Sequence, residues 1–218
     1  MEYSAGRRML IATFSIVARS PETSSLGVGV STAVPTVGSV VPHAETSIGA
    51  VATQGLTDPS YGVEGLKLLR GGWSPKEALE ELLRRDLMRE LRQVSIIDSK
   101  GRAAAHTGKD TIEWSGHLIG NDYVVAGNML RDSSVLEHMA EAFERSTGLL
   151  SERILSALEA GDEAGGDRRG KISAALLVVG EEVMGPRPAI DLRVDYHREP
   201  VHELRRVFEA YKRWSMRL

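Results

Sequence analysis

Thr13-Phe14-Ser15-Ile16-Val17-Ala18 is a strand with two different sides. Successive side chains of an extended chain point to opposite faces, so Phe14, Ile16 and Ala18 face one way and Thr13, Ser15 and Val17 the other. The first side suits a core. The second can present hydroxyls to a cavity while the strand still packs. The residue types alone leave Thr13 open between a nucleophile and an ordinary β-former.

Working outward, Pro21 to Ser25 has turn chemistry and Leu26-Gly27-Val28-Gly29-Val30-Ser31 alternates as a second strand, which makes a hairpin with the first. Its glycines leave one face bare and invite close approach by another backbone or a ligand. Pro35 to Pro42 reads as a loop, and Ser47 to Gln54 as a third strand built mostly of small residues. Two helices follow. Asp58-Pro59 opens one with the stripe Val63, Leu66, Leu69, closed by Gly71-Gly72; Ser74-Pro75-Lys76-Glu77 is a capping box opening another with Ala78, Leu79, Leu82 and Leu83.

Strands resume at Gln93–Ile97, turn at Asp98 to Gly101, and continue over Arg102–Thr107, with shorter candidates at Ile112–Trp114 and Tyr123–Ala126. A second helical pair has a capping box at Ser134 and Glu137, then Leu150, Ile154, Leu155 and Leu158 closed by Gly161. The apolar run Ala174–Val179 is a buried strand, Asp191–Asp195 an outer one, and Pro200 opens a last helix striped by Val201, Leu204, Val207, Phe208, Tyr211 and Trp214. Strands in two groups and helices in two hairpins predict an α+β fold, a four-layer αββα sandwich of two antiparallel sheets. Residues 13–218 are expected to form one domain, with 1–12 an N-terminal extension or propeptide.

A chain of 218 residues buries roughly 70% of its unfolded surface when it folds as one unit. The 27 basic and 30 acidic side chains are interleaved and give a net charge of −3, which disfavours nucleic acid as a partner. Without cysteine there is no disulfide, thiolate metal site or cysteine nucleophile. Arg7-Arg8 ahead of Met9–Ala18 imitates a secretion leader, but the run alternates like a strand and no small-residue cleavage site follows. No stretch has the length of a membrane span, and the expected location is the cytoplasm.

The segment Gly165-Gly166-Asp167-Arg168-Arg169-Gly170-Lys171 nearly spells a phosphate-binding loop, yet Ile172 stands where a magnesium-binding hydroxyl is required, and a strand follows where a helix should. Nucleotide binding is therefore rejected there; Asp167 and Arg169 remain candidates for the rim of a pocket. The six histidines have no metal-ligand spacing and no nucleophile elbow exists, so neither a metal nor another cofactor is expected. What remains is a nucleophile that needs no histidine. A threonine at the start of a mature chain can use its own α-amine, with a pKa of about 7.7–8.0, as general base. Asn128 is then the candidate oxyanion donor.

Thr13–Ala18, Gly49–Gln54, Asp58–Gly62, Arg92-Gln93-Val94, Gly127-Asn128-Met129, Gly165–Gly170 and Ser173–Leu176 together resemble the domain-of-unknown-function family 1028, over residues 13 to 210. The resemblance implies the N-terminal-nucleophile (Ntn) hydrolase superfamily and its αββα fold. It implies Thr13 as nucleophile with Asn128, and a substrate site drawn from Ser15, Ser31, Thr53, Gln54, Tyr61, Asp167, Arg169 and Ser173. Members of the family commonly begin at the equivalent threonine directly after the initiator methionine. Here twelve residues precede Thr13, so a free amine requires cutting of the Ala12–Thr13 bond. The expected activity is hydrolysis of a small C–N amide, with an amide or amino-acid-derived small molecule as partner, no membrane, and a homodimer through the Trp214 helix. The alternative is a non-catalytic binder of a small molecule or cell-wall fragment, since some relatives carry a peptidoglycan-binding module.

Overall fold

The computed structural model describes residues 10–11, 13–180 and 189–215; the N-terminal extension thus lies outside the described residues except for Leu10 and Ile11. Among the described residues, eleven strands fall in two sheets. The first contains β1 (Leu10–Ile11), β5 (Gly49–Leu56), β6 (Arg92–Asp98) and β7 (Ala103–Thr107) in that order, with β4 (Pro42–Glu45) also on β5. The second runs β11 (Ile190–Val194), β10 (Ser173–Val179), β3 (Leu26–Thr32), β2 (Thr13–Arg19), β9 (Tyr123–Asn128), β8 (Gly116–Gly120). Every pairing is antiparallel.

Three apolar clusters divide the layers. Helices α1 (Ser60–Arg70) and α2 (Pro75–Arg85) bury Tyr61, Leu66, Leu69, Leu79 and Leu82 against Val51, Val94 and Ile96 of the first sheet. Between the sheets lie Val17, Val28, Val30, Ala50, Ala52, Ile97, Val124 and Ala175. On the far side α3 (Ser134–Arg145), α4 (Leu150–Glu163) and α5 (Pro200–Ser215) cover Phe14, Ile16, Val125, Ala174 and Leu176. The architecture is the expected four-layer αββα sandwich, and β2 is two-sided as its alternation requires: Phe14, Ile16 and Ala18 meet the helices, Val17 the opposite sheet.

Local chemistry explains the elements. Ser74 accepts the Glu77 N–H and Glu77 accepts the Ser74 N–H, so the capping box satisfies donors that the first turn of α2 would otherwise leave open. The bare face of β3 is filled by α4: a Cβ on Gly29 would lie 2.5 Å from Ile154 Cγ2, so the glycine is what lets the helix approach.

Several details differ from expectation. Val63 is 59% exposed, and α1 turns Gly62 and Gly65 inward instead, where small residues let it sit close to the sheet. The expected loop at 35–42 contains a single 3-10 turn, Val37–Ser39, and β4 follows it. Ile112–Trp114 is not a strand; the sixth strand of the second sheet is Gly116–Gly120, an edge whose exposed Leu118 and Ile119 have no alternating pattern. Ser134 does not cap α3, because its N–H and hydroxyl go to Asp132. Gly161 does not end α4, which continues to Glu163; it is a packing residue, with a Cβ there 2.7 Å from Met139 Cγ.

Candidate functional site between the sheets

Register sets the site. Ser173, Thr32, Thr13 and Asn128 are direct cross-strand partners on β10, β3, β2 and β9, so their side chains form one row on the inter-sheet face. All four are buried, Thr13 completely. The next row on the same face holds Ala175, Val30, Ser15, Ala126 and His117. On the facing sheet Gln54, Gln93 and Thr107 form a matching row, backed by Ala52, Ser95 and Ala105. Hydroxyls, amides and alanines therefore meet at one end of the sandwich, where the rest of the interlayer is aliphatic.

Gln93 is the hub. Its Nε2 donates to Gly127 O at 2.8 Å, Gly116 O at 3.0 Å and Thr107 Oγ1 at 3.0 Å. Because two of these acceptors are backbone carbonyls, which cannot donate, the orientation of the Gln93 amide is determined. Its Oε1 in turn accepts from Asn128 Nδ2 at 2.9 Å and Gln54 Nε2 at 3.1 Å. Thr107 Oγ1, 3.0 Å from Gln93 Nε2, also shares a hydrogen bond of 2.8 Å with His117 Nδ1. Burial, followed by repulsion from His106, lowers the His117 pKa. A groove of about 570 Å³, lined by Thr107, Lys109, Trp114, Ser115 and His117 among others, opens beside this chain of bonds.

Three fully or almost fully buried polar atoms, Ser15 Oγ, Ser95 Oγ and Gln54 Oε1, have no hydrogen-bond partner. Native interiors rarely leave such groups alone.

Of the residues picked out in the sequence, Thr13, Ser15, Gln54, Asn128 and Ser173 share the inter-sheet face. Ser173 is engaged with the loop after β3, bonding Val34 O and the Val37 N–H. Ser31 lies on the opposite face of β3, beside Phe14 and Ala174 and under the helices. Thr53 likewise turns toward the α1 layer, donating to Asp58 O at 3.1 Å. Tyr61 belongs to the α1–α2 cluster and donates to Asp86 Oδ2 at 3.0 Å, and burial, followed by Asp86, pushes its pKa up. None of these three joins the Thr13 row. Asp167 and Arg169 pair with each other at 3.0 Å, and Asp167 also accepts the Ala33 N–H, anchoring the glycine loop next to Thr32. Thr32, Gln93, Ser95, Thr107 and His117 are the polar members of these four rows that the sequence reading did not select. Gln93 and Ser95 could have been found from the alternation of β6, where they share a face with Ile97.

Among the described residues no group of three or more His, Asp or Glu could hold a metal, and no helix is long and apolar enough to cross a membrane.

The protein is thus an α+β sandwich with a buried cluster of hydroxyl and amide side chains at one end of its interlayer. The family model described as a family of unknown function, DUF1028, matches residues 13–204, and the chain belongs to that family. The crystal structure of protein SPO2555 from Silicibacter pomeroyi, also assigned to DUF1028, is similar at 35% identity, with a TM-score of 0.85 over 91% of this chain and 85% of that one. Anbu, the ancestral beta-subunit from Yersinia bercovieri, aligns over 94% of this chain and 97% of its own at 11% identity and a TM-score of 0.41. A search of curated proteins finds no match.

Proposed function

We propose that the protein is an Ntn-type amidohydrolase that cleaves a small C–N amide other than a peptide bond, with Thr13 as nucleophile. One observation carries the reading: Thr13 heads an inner strand, wholly buried on the inter-sheet face, with the Asn128 amide as its cross-strand neighbour and Gln93 holding that amide in place.

The chemistry requires a free α-amine, because a peptide nitrogen is not basic. Attack of Thr13 Oγ on the Ala12 carbonyl carbon breaks the C–N bond and forms an ester, and water then hydrolyses the ester to release residues 1–12. The freed amine takes the Thr13 hydroxyl proton as Oγ attacks the substrate carbonyl. An N–H of Asn128 is the donor for the oxyanion that develops. The amine proton passes to the leaving nitrogen as the amide C–N bond breaks, and water hydrolyses the acyl ester.

Intact mass and turnover test this together. The expected mature protein lacks Met1–Ala12 and loses amide hydrolysis in Thr13→Ala. A full-length chain that hydrolyses an amide equally well without that hydroxyl would sink the mechanism.

A second reading is favoured by β1. Leu10 and Ile11 pair with Leu56 and Gly55 of the first sheet, so these two residues ahead of Thr13 are part of the fold. A chain that stays intact is a non-catalytic binder of a small molecule or cell-wall fragment, and saturable binding without turnover by the full-length protein would support it. For either reading we propose a homodimer through α5, on which Trp214 is 59% exposed; a monomeric mass by ultracentrifugation would exclude it.

A further inference from the structure

We propose that the inter-sheet site takes an uncharged group bearing N–H donors, a primary carboxamide or ureido group, and discriminates against both esters and carboxylates. The inference rests on the preceding reading only for where the ligand sits. Its own ground is the orphaned acceptor Gln54 Oε1, with the unpartnered hydroxyls Ser95 Oγ, in the row beside the Gln54–Gln93 pair, and Ser15 Oγ, on the inter-sheet face of the other sheet.

Amide oxygen and nitrogen are ordinarily assigned by choice, but here the network decides. Gln93 Nε2 is committed to the carbonyls of Gly127 and Gly116, so Gln93 Oε1 is the atom that meets its neighbours. Gln54 must therefore offer its NH2 to Gln93, and its oxygen is left as an acceptor that no protein group fills. Gln54 is completely buried, so bulk water does not fill it either. An acceptor fixed in this way calls for an N–H or O–H donor.

The same rows set the charge. Across β10, β3, β2 and β9 the two rows around Thr13 and Ser15 carry Ser173, Thr32, Asn128, Ala175, Val30 and Ala126. On β5, β6 and β7 the facing rows carry only amides, hydroxyls and alanines. On these strands the rows hold no counter-charge; at their two edges Arg193 is bonded to Asp195, and His117 is disfavoured as a cation by its burial and by His106, while Asp167 is paired with Arg169. An ionised carboxylate brought into this interlayer would be buried without a partner, which is far costlier than burying a neutral amide whose N–H groups are accepted. The solvent-open groove has Thr107 and His117 in common with these rows, which makes it the approach this proposal requires.

The test uses the full-length Thr13→Ala chain, so that binding is read without turnover. It is titrated with propionamide, methyl propionate and propionate, following the side-chain NH2 signals of Gln54, Gln93 and Asn128 by NMR. Propionamide is expected to shift these signals to saturation, methyl propionate, which has no N–H, to bind roughly tenfold more weakly, and propionate not to shift them. In a Gln54→Met background the preference for amide over ester should vanish. Should that variant fail to fold, Ser95→Ala serves in its place, and the preference should shrink. Equal binding of ester and amide, tighter binding of propionate, no binding of any probe (a site filled by structural water), or a preference unaffected in the variant would each overturn the proposal. A wild-type chain without amidase activity whose Thr13→Ala form still binds propionamide selectively would reject the hydrolase and keep this inference. Turnover with an ester-preferring site would do the reverse.

Discussion

Replacing Gln93 by leucine, which is close in size, would remove the group on which the polar end of the interlayer converges. Asn128 Nδ2, Gln54 Nε2 and Gly127 O would each lose a partner found at 2.9, 3.1 and 2.8 Å. A buried polar group left unsatisfied costs about 1–3 kcal/mol, and taking the lower limit for each, because neighbours relax, gives about 3 kcal/mol. For a chain of this length that corresponds to a melting temperature lower by roughly 6–12 °C, measured by calorimetry beside urea titration. Gln93→Glu supplies a signed control. Its carboxyl would face the Gly127 and Gly116 carbonyls, which repel the ionised form and raise the folded pKa above the unfolded value of about 4.3. The stability it contributes is then fully present below that unfolded pKa and lost as pH rises through the raised folded value. A leucine variant within about 1 kcal/mol of wild type would refute the hub assignment.

Other perturbations test the layers around it. Ser74→Ala should cost about 1 kcal/mol through loss of the α2 cap, seen in the urea midpoint. Gly29→Ala places a Cβ 2.5 Å from Ile154 Cγ2 and should cost about 1–3 kcal/mol; combined with Ile154→Ala, the loss should be smaller than the sum of the two, as a double-mutant cycle would read. Burial works to raise the Glu152 pKa, but Lys212 and Arg205 at 2.5 and 2.6 Å outweigh it, so the folded pKa lies below the usual 4.5. Its contribution is present above that value and lost as pH falls through the lowered one. Arg205→Met should therefore flatten the acid side of the stability profile, measured by urea midpoints at descending pH.

The sandwich was legible because its strands alternate and its helices are punctuated. Phe14, Ile16 and Ala18 sort to the helices and Val17 to the interlayer from period alone, and Ser74-Pro75-Lys76-Glu77 marks a helix start at one residue's resolution. The same period argument places Ser31 with Gly27 and Gly29, opposite Val28 and Val30, so its absence from the Thr13 row could have been read in advance. Thr53 and Tyr61 were not separable in this way. Their faces depend on which side of β5 the αα-hairpin covers, a tertiary choice. Gln93 illustrates the other limit: one polar residue starting a strand looks like a solvated edge until β7 and β9 close around it. The failed cap at Ser134 has a local cause, since Asp132 two residues earlier is the better acceptor.

Leu10 and Ile11 belong to one sheet and Thr13 to the other, so the covalent chain joins the two sheets in the step between Ile11 and Thr13. While it holds, the two sheets cannot part at the polar end without breaking β1 away from β5. Among the described residues, severing it would leave β1 on β5 through two residue pairs, whose hydrogen bonds net only about 1 kcal/mol each. The three apolar clusters would be untouched, so the body of the protein should survive the cut at nearly full stability. What changes is the mechanical freedom of a single seam, the one over Thr13.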